Sequence, residues 1–164
     1  MLAEVHVAAW RAAYGGLMPQ SVLDTLDVEL RTERWAKALS TPRTGITAVM
    51  TGGNDAILGF CVYGPSRDLD ALENTGELFV INLLPGVWRS GLGRQLCEFA
   101  VIHGQHEGWQ AISLWVLRSN VRARAFYEAL GFVSDGADKT DTSLIGAPLN
   151  EVRYSKQLMN CIQS

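Results

Sequence analysis

The sequence predicts an α/β domain, of the α+β kind with a mixed sheet, and three observations predict it. Apolar residues recur at helical spacing through the first 40 residues. After Pro42 the pattern turns β-branched and alternating. From Glu77 onward strand-like and helix-like segments take turns, as in strands joined by helical crossovers. The 164 residues bury about two-thirds of their unfolded surface, so one domain, residues 1–164, needs neither disulfides nor a structural metal. With 48% hydrophobic and 19% charged residues, intrinsic disorder is excluded.

The elements follow in order. Leu2–Tyr14 places Val5, Ala8, Ala9 and Ala12 on one side of a helix that Gly15-Gly16 ends. A second helix follows Pro19, with Ser21 as cap before Val22, Leu23 and Leu26, and a third spans about Arg31 to Leu39 and carries Trp35. Ile46–Met50 and Ala56–Tyr63 read as a hairpin whose connection, Thr51 to Asp55, contains Gly and Asn for positive φ. Gly64 to Gly76 reads as an exposed loop and Glu77–Leu84 as an apolar strand. A glycine-containing turn, Gly86 to Gly93, leads into a helix from Arg94 to about Glu107, with Leu96, Ala100 and His103 on one side. Ala111–Leu117 is a strand, and Asn120 caps a short helix that Gly131 ends. Phe132–Ser134 and Glu151–Leu158 are the last strands, around a polar loop.

The net charge of −3 is unevenly placed. Between Gly86 and Arg124 five arginines face two glutamates, a balance of +3 that leaves −6 elsewhere. A basic centre in an acidic chain suits a small anionic ligand; nucleic acid would want a broader basic face. Cys61, Cys97 and Cys161 are odd in number and lack paired spacing, which fits free thiols in a reducing compartment. No apolar run is long enough to span a membrane, and no basic, apolar and cleavage-site order opens the chain, so it reads as cytoplasmic with no membrane partner. His6, His103 and His106 have no third ligand at metal spacing; His103 and His106 read as a surface pair, and no metal is expected.

The segment that carries chemistry runs from Leu78 through Pro85-Gly86-Val87-Trp88-Arg89-Ser90-Gly91-Leu92-Gly93-Arg94. A strand, a glycine turn and a helix start present free backbone N–H groups at the positive end of a helix dipole, an anion site suited to phosphate. A plain strand-to-helix turn reads the same residues without a ligand. A Walker-type loop fails because no lysine lies between Lys37 and Lys139. A dinucleotide fold is weakened because Leu96 stands where a third glycine or alanine is wanted and no ribose-binding acid ends the strand Ala111–Leu117.

A second cluster, Asn120-Val121-Arg122-Ala123-Arg124-Ala125-Phe126-Tyr127-Glu128-Ala129-Leu130-Gly131-Phe132, decides between these readings. Together the two segments resemble the GNAT superfamily of acyl-CoA-dependent N-acyltransferases, whose motifs are Q/R-x-x-G-x-G/A and N-x-x-A-x-x-F-Y-x-x-x-G-F. The second is matched at Asn120, Ala123, Phe126, Tyr127, Gly131 and Phe132; the first at Gly91 and Gly93, with Trp88 in place of Gln or Arg. The resemblance spans about Ile57 to Leu158, with weaker similarity in Val7 to Tyr14. Family members begin with a strand before that helix; here Met1 falls almost at the helix itself, so the strand reads as missing or the start as shortened. The resemblance therefore implies an open sheet edge, to be covered by a homodimer contact or by the C-terminal strand.

The resemblance implies transfer of an acetyl group from acetyl-CoA to the primary amine of a small molecule or peptide, through a tetrahedral intermediate. It assigns the cofactor pyrophosphate to Arg89, Ser90, Gly91, Leu92, Gly93 and Arg94, and the pantetheine arm to Asn82 and Leu83. Asn120 and Phe126 join the cofactor-binding set, and Tyr127 becomes the general acid for the departing thiolate. Glu77 reads either as the base for the amine or as a solvated strand-end carboxylate. The N-terminal helices, with Trp10, Tyr14 and Trp35, and the acids Asp68, Asp70 and Glu73 are the expected acceptor wall and cation lure, against the plainer readings of core aromatics and a soluble loop. A CoA-binding regulatory or partner-binding domain without catalysis is the rival reading, and a nucleotide-dependent oxidoreductase is a third.

Overall fold

The computed structural model describes residues 1–41 and 45–158. Pro42 and Cys161 lie outside the described residues. Three helices open the chain: α1 (Leu2–Tyr14), α2 (Gln20–Asp24) and α3 (Val28–Ser40). Strands β1 (Ile46–Thr51), β2 (Ile57–Pro65) and β3 (Thr75–Leu83) follow, then α4 (Leu92–His106), β4 (Ala111–Leu117), α5 (Val121–Ala129), β5 (Val133–Asp141) and β6 (Leu149–Gln157). The strands form a mixed six-stranded sheet in the order β1-β2-β3-β4-β6-β5. β3 and β4 run parallel, and β4–β6 and β5–β6 antiparallel. The described chain divides into two compact units, Met1–Val62 with Val80–Glu98, and Tyr63–Phe79 with Phe99 onward.

In the first unit, α1 buries Ala3, Val5, His6, Val7 and Ala9. The buried stripe thus lies nearer the N-terminus than the sequence spacing suggests, and Ala12 is exposed. α1 packs on α2 and α3 and touches the 3-10 turn Pro85–Val87. Ser21 does not cap α2, which starts directly after Pro19, the residue whose fixed φ suits a helix entry. α3 begins earlier than its apolar spacing shows, because the Asp27 carboxylate accepts a hydrogen bond from Leu30 N at 2.7 Å. Between β1 and β2 the positive φ falls on Asn54 and Asp55, within a 3-10 turn. Phe60 and Cys61 of β2 are fully buried, and burial pushes the Cys61 thiol up to about 12.

In the second unit β4 is buried along most of its length, as a strand covered on both faces must be, which explains its apolar run. β5 is a correction: the polar stretch read as a loop pairs with β6 from Val133 to Asp141, with a register shift between Ser134 and Asp138. Its side chains are almost all exposed, so it carries no apolar alternation for a sequence to show. β1 and β5 are the sheet edges, and β6 lies between β4 and β5, so the C-terminal strand does not cover the β1 edge. Charges at Asp135, Asp138, Lys139 and Asp141 discourage edge-to-edge pairing along β5.

Trp109 fixes the packing of this unit. Its six-membered ring lies where a Cβ on Gly76 of β3 or on Gly104 of α4 would have to be, and its edge meets Tyr63 at 6.3 Å between centroids. We expect Gly76→Ala to overpack this contact and destabilise the fold by about 2 kcal/mol or more. Chemical unfolding of Gly76→Ala and Gly104→Ala should show both losses, and Trp109→Leu, which frees the space, should make Gly76→Ala close to neutral in the double variant.

Candidate active site

In the first unit, β3 ends at Leu83 and the chain turns through Pro85–Val87 into the start of α4. Trp88, which departs from the motif, braces the turn: its indole Nε1–H donates to the Leu83 carbonyl at 3.0 Å. Ser90 donates its hydroxyl to the Val87 carbonyl. Arg89 then sits at φ 62 and Gly91 at φ 88. A left-handed residue other than glycine costs on the order of 1 kcal/mol, and alternating backbone handedness turns successive N–H groups toward one point, as in anion-binding nests. A Cβ on Gly91 would meet no protein atom within 4 Å, so the glycine serves the positive φ and whatever approaches from outside, not internal packing.

Gly91 accepts the first helical hydrogen bond, from Gln95 N at 3.1 Å. The N–H groups of Leu92, Gly93 and Arg94 therefore open a 15-residue helix with no acid in its first turn. Arg94 and Glu98 form an exposed pair at 3.4 Å that contributes little. One strand back, Asn82 is 9% exposed and its amide nitrogen finds no hydrogen-bond partner among the described residues. Leu83 differs from the expectation in that its carbonyl is already engaged by Trp88.

In the second unit the Asn120 side chain accepts from Ala123 N at 3.1 Å, the N-cap read from the sequence. The end of α5 gives the rest of the motif a mechanical meaning. Gly131 takes φ 84, Gly131 N donates to the Glu128 carbonyl at 3.0 Å, and Phe132 N donates to the Tyr127 carbonyl at 3.1 Å. This is a Schellman closure, and its usual apolar contact is Phe132 against Tyr127, 5.9 Å between ring centroids. Tyr127 is 8% exposed, with Phe126 on its other side at 5.2 Å. Behind it Tyr154 accepts from Arg124 Nε at 3.0 Å and donates to Glu128 at 2.7 Å.

Glu77 is neither solvated nor free. It is 3% exposed; one oxygen accepts from Arg67 Nη2 at 2.7 Å, and the other from Arg67 N at 3.0 Å and Nε at 3.4 Å. Arg67 has no local signal in the sequence, and its guanidinium also lies 3.9 Å from the Phe79 ring centroid. Two of the three acids read as a cation lure are already paired, while Glu73 stays exposed. Asp70 makes a two-pronged pair with Arg153 at 2.7 and 2.8 Å, Asp68 meets the same guanidinium at 3.2 Å, and Asp135 meets its Nε at 2.7 Å. The Arg153 hydrogen bonds hold the Asp70 carboxyl below its ordinary range. Trp115 Nε1 donates to Asp68 at 3.0 Å, under Lys139, whose nitrogen is 4.1 Å from the ring centroid. His103 is half-buried against Tyr63, 5.6 Å between centroids, so it and the exposed His106 are not a surface pair. Among the described residues no three metal-ligating side chains stand together, and no helix is long and apolar enough to cross a membrane.

The model of the acetyltransferase (GNAT) family matches residues 7–132, more than three-quarters of the chain. The chain belongs to the GNAT acetyltransferase family. An uncharacterised N-acetyltransferase of Bacillus subtilis (strain 168), YuaI, is 28% identical over 92% of this chain and 83% of its own length. A mycothiol acetyltransferase of Kocuria rhizophila is 36% identical over 61% of this chain, but the match spans only 33% of that protein. The fold is shared with the PaiA N-acetyltransferase of Thermoplasma acidophilum in complex with coenzyme A, at a TM-score of 0.68 and 19% identity over 95% of this chain and 90% of that one. This GNAT chain is thus matched from α1 onward, so the N-terminal helices fall within the family region.

Within α1, burial and the nearby Arg31 charge push His6 down to about 4 from the ordinary 6.5. The unfolded chain therefore binds more protons than the folded one between those values, and stability falls as pH drops from 6.5 to 4, by up to about 1.4 kcal/mol per unit from this group. Urea unfolding across that window should show the slope, and His6→Phe should flatten it; an identical slope in the variant would place the effect elsewhere.

Proposed function

We propose that this GNAT chain transfers an acetyl group from acetyl-CoA to a primary amine by direct attack. The observation that carries the reading is the loop from Arg89 to Arg94: a left-handed arginine, a left-handed glycine and three open helix N–H groups without a neighbouring acid. That arrangement suits a pyrophosphate, whose charge the helix dipole and the N–H groups meet together. The buried Asn82 amide, unpartnered among the described residues, is a donor suited to the carbonyl-rich pantetheine arm.

The amine nitrogen attacks the thioester carbon, the carbon–sulfur bond breaks, and the departing thiolate takes a proton from the Tyr127 hydroxyl. The Schellman closure and the flanking Phe126 and Phe132 rings support this role by fixing the Tyr127 ring in an apolar setting. Asn120 holds the start of the same helix. Glu77 is proposed as the acceptor of the amine proton. Arg67 takes three of its roughly four lone-pair positions, so a water or amine reaches it through the remaining position on one oxygen.

Tyr127→Phe should lower kcat by about 100-fold or more while acetyl-CoA binding stays within a factor of about three. Release of CoA thiol over a panel of amines, with binding followed by calorimetry, measures both. Unchanged turnover in the variant would remove Tyr127 from the mechanism. Binding of acetyl-CoA without turnover of any amine would favour the non-catalytic reading.

A further inference from the structure

Four residues of α1 and α3 form two pairs at the spacing that puts side chains on one helix face: His6 with Trp10, and Arg31 with Trp35. The helices pack together, and Phe60 of β2 closes the cluster. The His6 ring lies 5.2 Å from Trp10, 6.2 Å from Trp35 and 6.2 Å from Phe60, and Trp35 meets Phe60 edge-on at 5.0 Å. The Arg31 guanidinium carbon stands 5.9 Å from the Trp10 ring centroid, so Trp10 is touched by both His6 and Arg31.

Three buried polar atoms of this cluster have no hydrogen-bond partner among the described residues. His6 is 92% buried, as its 8% exposure states, and neither ring nitrogen finds a hydrogen bond among the described residues; nor does the buried Trp35 Nε1–H. Leaving such groups unmet costs about 1–3 kcal/mol each. Arg31 is half-buried, and among the described residues it has no carboxylate or carbonyl partner; the charge that acts on it is the like charge of Arg34. Arg11, by contrast, is taken up by the Leu26 carbonyl at 2.8 Å and the Leu23 carbonyl at 3.5 Å.

These aromatic walls would suit an ammonium ion if the local charges were negative. They are positive, and Arg31 already occupies the Trp10 face. What the cluster lacks is an acceptor. A guanidinium fork, an indole N–H and an imidazole N–H together match a carboxylate. The second imidazole nitrogen asks for a donor, which an amino-carboxylate also carries.

We propose that His6, Arg31 and Trp35 form a carboxylate-binding site, and that the acceptor of this acetyltransferase is an amine bearing a carboxylate. The second half rests on the acetyl-transfer reading above; the first half does not. Arg31 supplies charge and the fork, and Trp35 Nε1–H and one His6 nitrogen fix the orientation. Arg31 and Trp35 are specificity residues here, not participants in the chemistry.

The test pairs α- and ω-amino acids with their primary carboxamides, at saturating acetyl-CoA, with CoA-thiol release as the first readout. The second readout is tryptophan fluorescence of the protein alone, titrated with the same compounds, since Trp10 and Trp35 line the site. The expected result is a 10- to 100-fold preference in kcat/KM for one or more acids over their amides, carried by KM. Arg31→Gln should bring that preference to within about threefold through KM, Arg31→Lys should retain part of it, and Trp35→Phe, which removes the N–H and keeps an aromatic ring, should weaken it. Equal use of acids and amides overturns the site while leaving acetyl transfer intact. A fluorescence response to amino acids that Arg31→Gln abolishes, with no amine turned over, supports the site and overturns the transferase reading. No preference and no response overturn the proposal outright.

Discussion

A carboxylate buried at the start of the central strand is the constraint around which the second unit is organised. Glu77 is 3% exposed, and an ionised group so placed needs a compensating charge and hydrogen bonds to its oxygens. Arg67 supplies both, through its side chain and its own backbone N–H, and in doing so fixes the entry to the segment after β2. The next residue, Asp68, is tied to Trp115 of β4 and Arg153 of β6, and Arg153 also draws in Asp70 and Asp135. One buried charge thus leads, link by link, to an ordered chain of ion pairs across β3, β4, β6 and β5. Removing one partner from such a network leaves the others desolvated, which is why its members are poor candidates for a free surface role.

The first unit solves a different problem. Its basic loop must leave backbone donors open instead of closing them. The strained φ of Arg89, the hydroxyl of Ser90 turned back on Val87, and the indole of Trp88 on Leu83 all lock the turn from inside. The donors of Leu92, Gly93 and Arg94 then face outward by default, since no residue of the first helical turn is acidic. Trp88 is informative because it replaces a motif side chain and yet serves the same loop, by rigidity instead of by reaching toward a ligand.

Much of this is legible in the sequence for identifiable reasons. The Asn120 cap and the helix end at Gly131 are read correctly because a cap and a left-handed glycine are local requirements, fixed within one turn of chain. The helix α1 and the strand β4 are legible because burial imposes period on one and continuity on the other. β5 is not, because an exposed edge strand has no buried face to impose alternation. The partners of Asp68 and Asp70 are also hidden: Arg153 lies more than 80 residues away in sequence, and no local pattern encodes a contact made by strand order. The setting of Glu77 is open in the sequence because a strand-end acid is usually solvated, and only the contact with Arg67 reveals otherwise.

The contrast between the two units bears on where ligands belong. In the second, the charged groups around Glu77 and Arg153 are matched by one another. In the first, the Asn82 amide nitrogen, both His6 nitrogens and Trp35 Nε1 are buried and unmatched among the described residues; in the second, His103 Nδ1 is a further such atom. Each such group lowers the stability of the unit by an amount comparable with a typical core mutation. A fold that could have placed apolar residues at these positions at less cost instead holds polar atoms in fixed aromatic and strand settings. Atoms so placed are preorganised: a ligand that meets them gains their hydrogen bonds without ordering them first. By that criterion the proposals for the loop of α4 and for the α1–α3 cluster rest on the same physical reason, oriented donors left without acceptors, and the chemistry each would admit is anionic.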